Sequence, residues 1–204
     1  MGKGFLEHNR RHSISNNIDS ARTHLNIKLA DMDIEAAYHK LFDESVNRYN
    51  ADPRHKNKIT NYYQQIKNSK LHRTFYEIIV QIGNCKDTPA TGKDAPLAAK
   101  ILEEFYHGFQ KNNQTLYIIC AYIHMDEATP HLHIDFIPYT QKSTRGMDTR
   151  VSLRQALAEL GYTGGDKEVT EWNMFIDGEK ERLANIMESH NITVIHKNEK
   201  KQHL

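Results

Sequence analysis

Ten consecutive residues, His124-Met125-Asp126-Glu127-Ala128-Thr129-Pro130-His131-Leu132-His133, hold three histidines and two carboxylates. Neutral imidazole is a preferred ligand of divalent transition metals. Three imidazoles without an evident fourth protein ligand leave a coordination position for water or substrate, as catalytic rather than structural sites do. A lone His-x-His is a weak signal, since half-exposed strand histidines are common. A third histidine seven residues away across a turn makes metal ligation by His124, His131 and His133 the stronger reading. Glu127 could orient a ligating histidine or handle a proton. Asp126 reads at least as well as an ordinary turn residue.

The flanking stretches must position these groups. Leu116–His124 (LYIICAYIH) is rich in β-branched and aromatic residues, and Leu132–Pro138 (LHIDFIP) alternates apolar with polar, so the two are expected to pair as antiparallel strands joined by a short turn. Alternation puts His131 and His133 on one face and Leu132, Ile134 and Phe136 on the other, with His124 facing the first pair across the hairpin mouth. Upstream, Asp31 or Asp33 caps a helix whose apolar face is Ile34, Ala37, Tyr38, Leu41, Phe42, Val46 and Tyr49, ending before Pro53. The pattern then predicts a helix over Lys56 to Lys70, a strand over Thr74 to Ile82, a loop over Asn84 to Pro96 and a helix over Leu97 to Asn112. Thr140 to Arg150 reads as irregular. Ser152 with Gln155 forms a capping box for a short helix ending near Gly161, and Thr170 to Ser189 is the last long helix. Gly164-Gly165 lacks the strand context of a phosphate loop and reads as a turn, and Ile192 to His196 is expected to close the sheet. Strands interspersed with helices around an antiparallel hairpin give an α+β layer fold, a mostly antiparallel sheet covered by helices.

With 204 residues, 38% of them hydrophobic, the chain can build one domain with a sizeable core, expected over 1–196, followed by a polar tail at 197–204 that reads as a cut point. Cys85 and Cys120 have no C-x-x-C spacing and fit a reducing compartment. No run approaches the length of a membrane span, and the first residues lack an export signal, so a cytoplasmic protein without a membrane partner is expected. A net charge of +1 selects no partner, but its distribution is informative. Pro53 to Arg73 carries six Lys or Arg and no acid, interleaved with Tyr62 and Tyr63, as a surface meeting a phosphate backbone would; a solvated helix face explains such a run as readily. A second basic cluster, Lys142, Arg145, Arg150 and Arg154, follows the hairpin directly and is expected beside the metal site. Asp31 to Asn50, by contrast, has five acids against two bases, so that helix should face away from any nucleic acid.

Two further polar stretches lie near the amino terminus: His8-Asn9-Arg10-Arg11, and Asp19-Ser20-Ala21-Arg22-Thr23-His24-Leu25-Asn26. Each is weak alone. In order with the hairpin they read His-Asn-x-Arg, Ser-x-Arg-Thr-His-Leu-Asn, then His-x-Asp-Glu-x-Thr-Pro-His-x-His. This series resembles the MobV-type relaxases of the Pre/Mob plasmid mobilisation and recombination family. The resemblance continues through Arg145-Gly146-Met147-Asp148-Thr149-Arg150 and Thr170-Glu171-Trp172-Asn173, so it covers nearly the whole chain. It implies a histidine-hydrophobic-histidine (HUH) endonuclease fold and strand-specific nicking of single-stranded DNA at a plasmid origin of transfer, with the enzyme left attached to the 5′ phosphate. Carried over by position, His124, His131 and His133 match the family's metal ligands, and Glu127 an acidic residue beside them. His8 matches the proposed nucleophile and Arg11 a phosphate contact. Arg22, His24 and Asn26 would serve the DNA strand or brace the site, with a polar connector packed under the sheet as the plain alternative. Lys142, Arg145, Arg150 and Arg154 would bind DNA.

Three histidines alone suit zinc, manganese, iron, cobalt or nickel; the resemblance suggests Mn2+ or Mg2+. Full-length relatives continue into long helical carboxyl-terminal regions, through which a homodimer could form. Two departures stand out. Ile27 occupies the position where many relatives carry a tyrosine after His-Leu-Asn, which excludes a tyrosine mechanism there. Tyr62 or Tyr63 remains a formal alternative, although a tyrosine pair in a basic helix more often packs or stacks on bases. Only seven residues precede His8, where relatives usually have a strand's worth. The sequence is therefore expected to encode a metal-dependent relaxase domain using His8. Its rivals are a three-histidine metallohydrolase or cupin-like oxygenase with a small apolar pocket, and a non-catalytic DNA-binding module in which the metal only staples the hairpin.

Overall fold

In the computed structural model, which describes residues 6–13, 15–166 and 168–194, the chain folds around an antiparallel sheet in the order β1-β3-β4-β2. These strands are β1 (Ile27–Asp31), β2 (Tyr76–Gln81), β3 (Leu116–His124) and β4 (His131–Thr140), and a two-residue β5 (Arg150–Val151) pairs with the far end of β4. The helices are α1 (Leu6–Asn9), α2 (Ile34–Ala51), α3 (Tyr62–Lys67), α4 (Ala95–Asn112), α5 (Leu153–Glu159) and α6 (Glu171–Ser189), with a 3-10 turn at Ser20–Leu25. None of the described helices is long and apolar enough to cross a membrane.

The central hairpin forms as the alternation requires. His124 pairs with His131 and Tyr122 with His133, and the six residues between the strands close the turn. A register shift between Ile118 and Cys120 adds Ile119 to β3 as a bulge, and its carbonyl accepts a hydrogen bond from the Met32 amide (2.8 Å). Leu132, Ile134 and Phe136 project into a core built with Ile101, Leu102, Phe105 and Phe109 of α4, Leu157 of α5 and Phe175 of α6. Ile119 and Ile137 meet a second core on the opposite face, with Ala37, Tyr38 and Phe42 of α2 and Ile66 of α3. β4 is thus buried on both faces along most of its length. Helices α2 and α3 cover one end of their face, and at the other end α1 and the 3-10 turn close over the histidines.

The helix starts are set locally: Asp33, Ser152 and Thr170 each accept a bond from an amide three residues on. The helix expected over Lys56 to Lys70 shrinks to Tyr62–Lys67. The side chain of Asn50 bonds both the amide and the carbonyl of Ile59 (2.8 Å each), holding the preceding residues as a loop until Asn61 caps α3. Helix α4 starts two residues before Leu97, inside the expected loop, with Pro96 in its first turn where its missing amide costs nothing. Strand β1, absent from the sequence reading, pairs with β3. Of the closing strand expected over Ile192 to His196, residues 192–194 are not in a strand, and 195–196 lie outside the described residues, as does the tail at 197–204.

Candidate metal centre

His124 ends β3, His131 begins β4 directly opposite, and His133 lies two residues further on the same face. Their ring centroids are 5.3 Å (His124 to His131), 4.7 Å (His124 to His133) and 4.9 Å (His131 to His133) apart. One nitrogen of each ring is committed to an acceptor: His124 Nε2 to the Asn9 carbonyl (3.0 Å), His131 Nδ1 to the Thr129 carbonyl (2.8 Å) and His133 Nδ1 to Glu77 Oε1 (2.7 Å). A carbonyl or carboxylate oxygen only accepts, so those nitrogens carry the hydrogens. The lone pairs then fall on His124 Nδ1, His131 Nε2 and His133 Nε2. His124 Nδ1 and His133 Nε2 are buried without a hydrogen-bond partner among the described residues, a costly state that ligation of an ion would relieve. Burial pushes the pKa of His124 down to about 3 and lowers that of His131, which holds both rings in the neutral form that binds metal. The residues present therefore fit a divalent ion.

Charge around this cluster is organised by Arg11. Its Nε and Nη2 bond the two oxygens of Asp126 (3.0 and 2.5 Å), Nη2 also reaches Glu127 Oε1 (2.8 Å), and Nη1 lies 3.2 Å from His8 Nε2. Arginine has no acceptor, so His8 Nε2 presents its lone pair at this contact. His8 is half-buried at the mouth, with ring centroids 6.0 and 6.1 Å from His124 and His133. Glu127 Oε1 stands 3.5 Å from His8 Nε2, 3.9 Å from His124 Nδ1 and 3.8 Å from His131 Nε2. Two ligand groupings overlap here: His8, His124 and His133, and His124, Glu127 and His131. Asp126 is fully buried rather than an ordinary turn residue, and also accepts from Thr23 Oγ1 (2.9 Å) and Asn26 Nδ2 (2.7 Å). Burial would raise its pKa, but the bonds from Arg11, Asn26 and Thr23 win and bring it down to about 2.

The remaining candidates divide. Arg22 spends its donors on Asp19 and on the carbonyls of Met125 and Glu127, and Asn26 Oδ1 accepts the Met125 amide (2.7 Å); both clamp the loop that carries Glu127. His24 is exposed. Lys142, Arg145, Arg150 and Arg154 are not beside the histidines, as their place in the sequence suggested. They follow the opposite end of β4, which at roughly 3.3 Å per residue lies about 30 Å away. There Arg150 bonds Ser143 and Gln155, while Lys142 and Arg154 stand near Glu159 and Glu171. Arg145 and Arg150 border a recess shared with Tyr62 and His72, so the two basic segments of the sequence meet at this end. Tyr62 and Tyr63 pack on Tyr38 and Phe42 of α2, with centroids 5.0 to 6.1 Å apart. Sequence reading missed Asn9, Glu77 and Asp135 as supports of the centre. The pairing of Glu77 with Asp135 across β2 and β4 is the signal that would have located two of them. A concavity of about 490 Å³, between α4 and α6, lies on the other side of the sheet from the histidines.

The family described as plasmid recombination enzyme (Mob_Pre) matches residues 3–173. A curated plasmid recombination enzyme from Streptococcus agalactiae is 26% identical over 172 residues, covering 77% of this chain; the chain spans 30% of that relative's length. Among solved structures, the Mn-bound MobM relaxase domain in complex with a 22-nucleotide oriT DNA of plasmid pMV158 aligns with 98% of this chain and 86% of its own, at 22% identity and a TM-score of 0.52. A further Mn-bound MobM structure, whose 22-nucleotide DNA carries a 3′ thiophosphate, aligns over the same shares at 22% identity and a TM-score of 0.51. The likeness is one of fold.

Proposed function

The chain belongs to the plasmid recombination enzyme family, and from that membership we propose that it is a metal-dependent relaxase domain that nicks one DNA strand at a plasmid origin of transfer through a histidine nucleophile. The observation that supports this reading best is the convergence of three imidazoles with free nitrogens on the mouth where His8 Nε2 presents its lone pair. The oriT DNA and manganese of the MobM structures favour single-stranded origin DNA as substrate and Mn2+ as the ion, with Mg2+ the alternative. When bound, the ion would polarise a non-bridging oxygen of the scissile phosphate and stabilise charge developing there.

His8 Nε2 attacks phosphorus. A nitrogen–phosphorus bond forms, the bond from phosphorus to the 3′ oxygen breaks, and that oxygen takes up a proton as the imidazole loses its own. The phosphoramidate keeps enough transfer potential for a 3′-hydroxyl to reverse the step without ATP, which suits strand transfer. Arg11 turns from the His8 nitrogen to the phosphate as the nucleophile engages, its fork still anchored on Asp126. Glu127 holds Arg11 beside the reacting atoms. Arg22 and Asn26 act by bracing the loop, while His24 is free to meet the strand. Lys142, Arg145, Arg150 and Arg154, with the basic run from Pro53 to Arg73, offer a distal surface to DNA away from the nick. The rival small-molecule enzyme wants an apolar pocket at the histidines; the 490 Å³ concavity is elsewhere.

The test uses single-stranded oligonucleotides tiled across the DNA flanking the gene, incubated with protein and Mn2+ and resolved on denaturing gels. A cleaved strand and an acid-labile protein–DNA adduct, both lost with chelator and with His8→Ala, are expected. An adduct that survives His8→Ala and acid would assign the chemistry to a tyrosine. DNA bound but never cut by metal-loaded protein would leave a binding module.

A further inference from the structure

We infer that Asn9 is a positioning residue that fastens the His8 helix to the metal centre, so that ion affinity and the seating of His8 depend on the same side chain. The inference rests on the metal-centre reading above. Asn9 is 1% exposed and makes three bonds. Its main-chain carbonyl accepts from His124 Nε2 (3.0 Å), and its side-chain Nδ2 donates to Glu77 Oε1 (3.0 Å) and to Asp135 Oδ2 (2.8 Å). The Glu77 oxygen that it holds is the one that fixes His133 Nδ1 (2.7 Å). The Asn9 main chain thus orients His124, while the Asn9 side chain orients His133 through Glu77 and anchors the main-chain carbonyl in its place. His8 precedes it in a helix of only four residues, where neighbouring side chains point about 100° apart, so burying the Asn9 amide turns His8 toward the mouth. Arg10, bonded to Asp31 and the Met32 carbonyl, ties the same helix to β1 but touches no histidine.

A buried asparagine that merely satisfied two carboxylates would matter to stability and not to the ion. The experiment separates the two. Mn2+ binding is measured by isothermal titration calorimetry without DNA on the wild type, Asn9→Ala, Asn9→Gln, Glu77→Gln and the Asn9→Ala/Glu77→Gln double variant, with thermal unfolding of each metal-free protein. Loss of an orienting partner typically weakens metal binding about 10- to 100-fold, so Asn9→Ala is expected to bind Mn2+ at least about tenfold more weakly. The double variant is expected to lose less than the product of the single losses, because both act on His133. Asn9→Gln keeps the amide but displaces it by one methylene; it should fold if the alanine variant does not, and lose affinity in the same direction. Folded Asn9 variants that bind Mn2+ within about twofold of wild type, or strictly multiplicative losses, overturn the inference. At saturating Mn2+, adduct formation by Asn9→Ala should be slowed with KM for DNA unchanged. Because the calorimetry involves no nicking, a wild type that binds Mn2+ but forms no adduct counts against the relaxase reading, while the affinities still decide the role of Asn9.

Discussion

With its side chain 7% exposed, Arg11 spans Asp126 and Glu127 and still reaches the His8 ring. Its backbone lies in the left-handed region (φ 60°), where a side chain costs about 1–2 kcal/mol relative to ordinary helical geometry. Removing one partner of a buried charge network leaves the others uncompensated, so Arg11→Ala should destabilise the fold by about 3–5 kcal/mol in urea unfolding. Arg11→Lys, which keeps the charge but not the fork, should lose less. The hydrogen-bond partners also make the metal-free protein a mixture of tautomers, with His124 protonated on Nε2 and His131 and His133 on Nδ1. Long-range nitrogen–proton NMR spectra of the imidazoles check this directly. Finding all three rings in one tautomer would contradict the assignment of ligating atoms. At this scale the clustering of His124, His131 and His133 was legible because the three are close in sequence. Asp126 was not, since its partners Arg11, Thr23 and Asn26 lie about a hundred residues away and nothing local distinguishes it from a turn acid.

Strand β4 carries the candidate ligands His131 and His133 on one face and the larger core on the other, so defects in the core displace these histidines. Phe136→Ala, at a fully buried position, should cost about 3–5 kcal/mol in denaturant unfolding. At the α4–α6 seam, Glu179 is buried and bonded to Asn113 Nδ2 (3.1 Å) and Arg182 Nη1 (3.0 Å), its second oxygen having no partner among the described residues. Burial outweighs both donors and raises its pKa above the ordinary value of 4.5. The folded state thus binds this proton more tightly than the unfolded chain does. Its contribution is complete below about pH 4.5 and is lost as pH rises through the folded pKa. Glu179→Gln keeps an acceptor and removes the charge, so it should raise the thermal midpoint at pH 7, with the difference narrowing as pH falls toward 4.5. Elements whose signals are local, such as the helices capped by Asp33, Ser152 and Thr170 and the alternating hairpin, were readable from sequence. The five residues of β1 show no clean alternation, and α3 was over-extended because the Asn50 hydrogen bonds that hold its approach as a loop are tertiary.

Over the whole molecule, near-neutral charge conceals a polar arrangement, with the histidines at one end of β4 and two basic segments at the other. Sequence adjacency placed Lys142 to Arg154 beside the histidine cluster because the hairpin precedes them, but a ten-residue strand intervenes. If this far end holds DNA, Lys142→Ala with Arg145→Ala should weaken binding of long single strands. The slope of log affinity against log salt should fall by about 0.7 for each phosphate left without its cation. Fluorescence anisotropy over a salt series measures it, and cleavage of an oligonucleotide too short to span the sheet should be unchanged.

The strand order also governs the time course of assembly. Of the four longer strands, β3 and β4 are the one paired couple consecutive along the chain; β1 must close a loop from Asp31 to Cys120, and β2 one from Gln81 to His131. Hairpins form in roughly 1–10 μs, whereas distant pairings wait on loop closure. The nascent chain therefore gathers its three imidazoles early, with His131 already set by the Thr129 carbonyl, and acquires Asn9 and Glu77, which fix the tautomers of His124 and His133, late. If these histidines hold the ion as proposed, its choice is made twice: loosely by a hairpin that accepts whatever imidazole binds, and again when the outer strands dock. Refolding with a metal-sensitive dye present should show weak capture in the first phase and tight retention only with final burial.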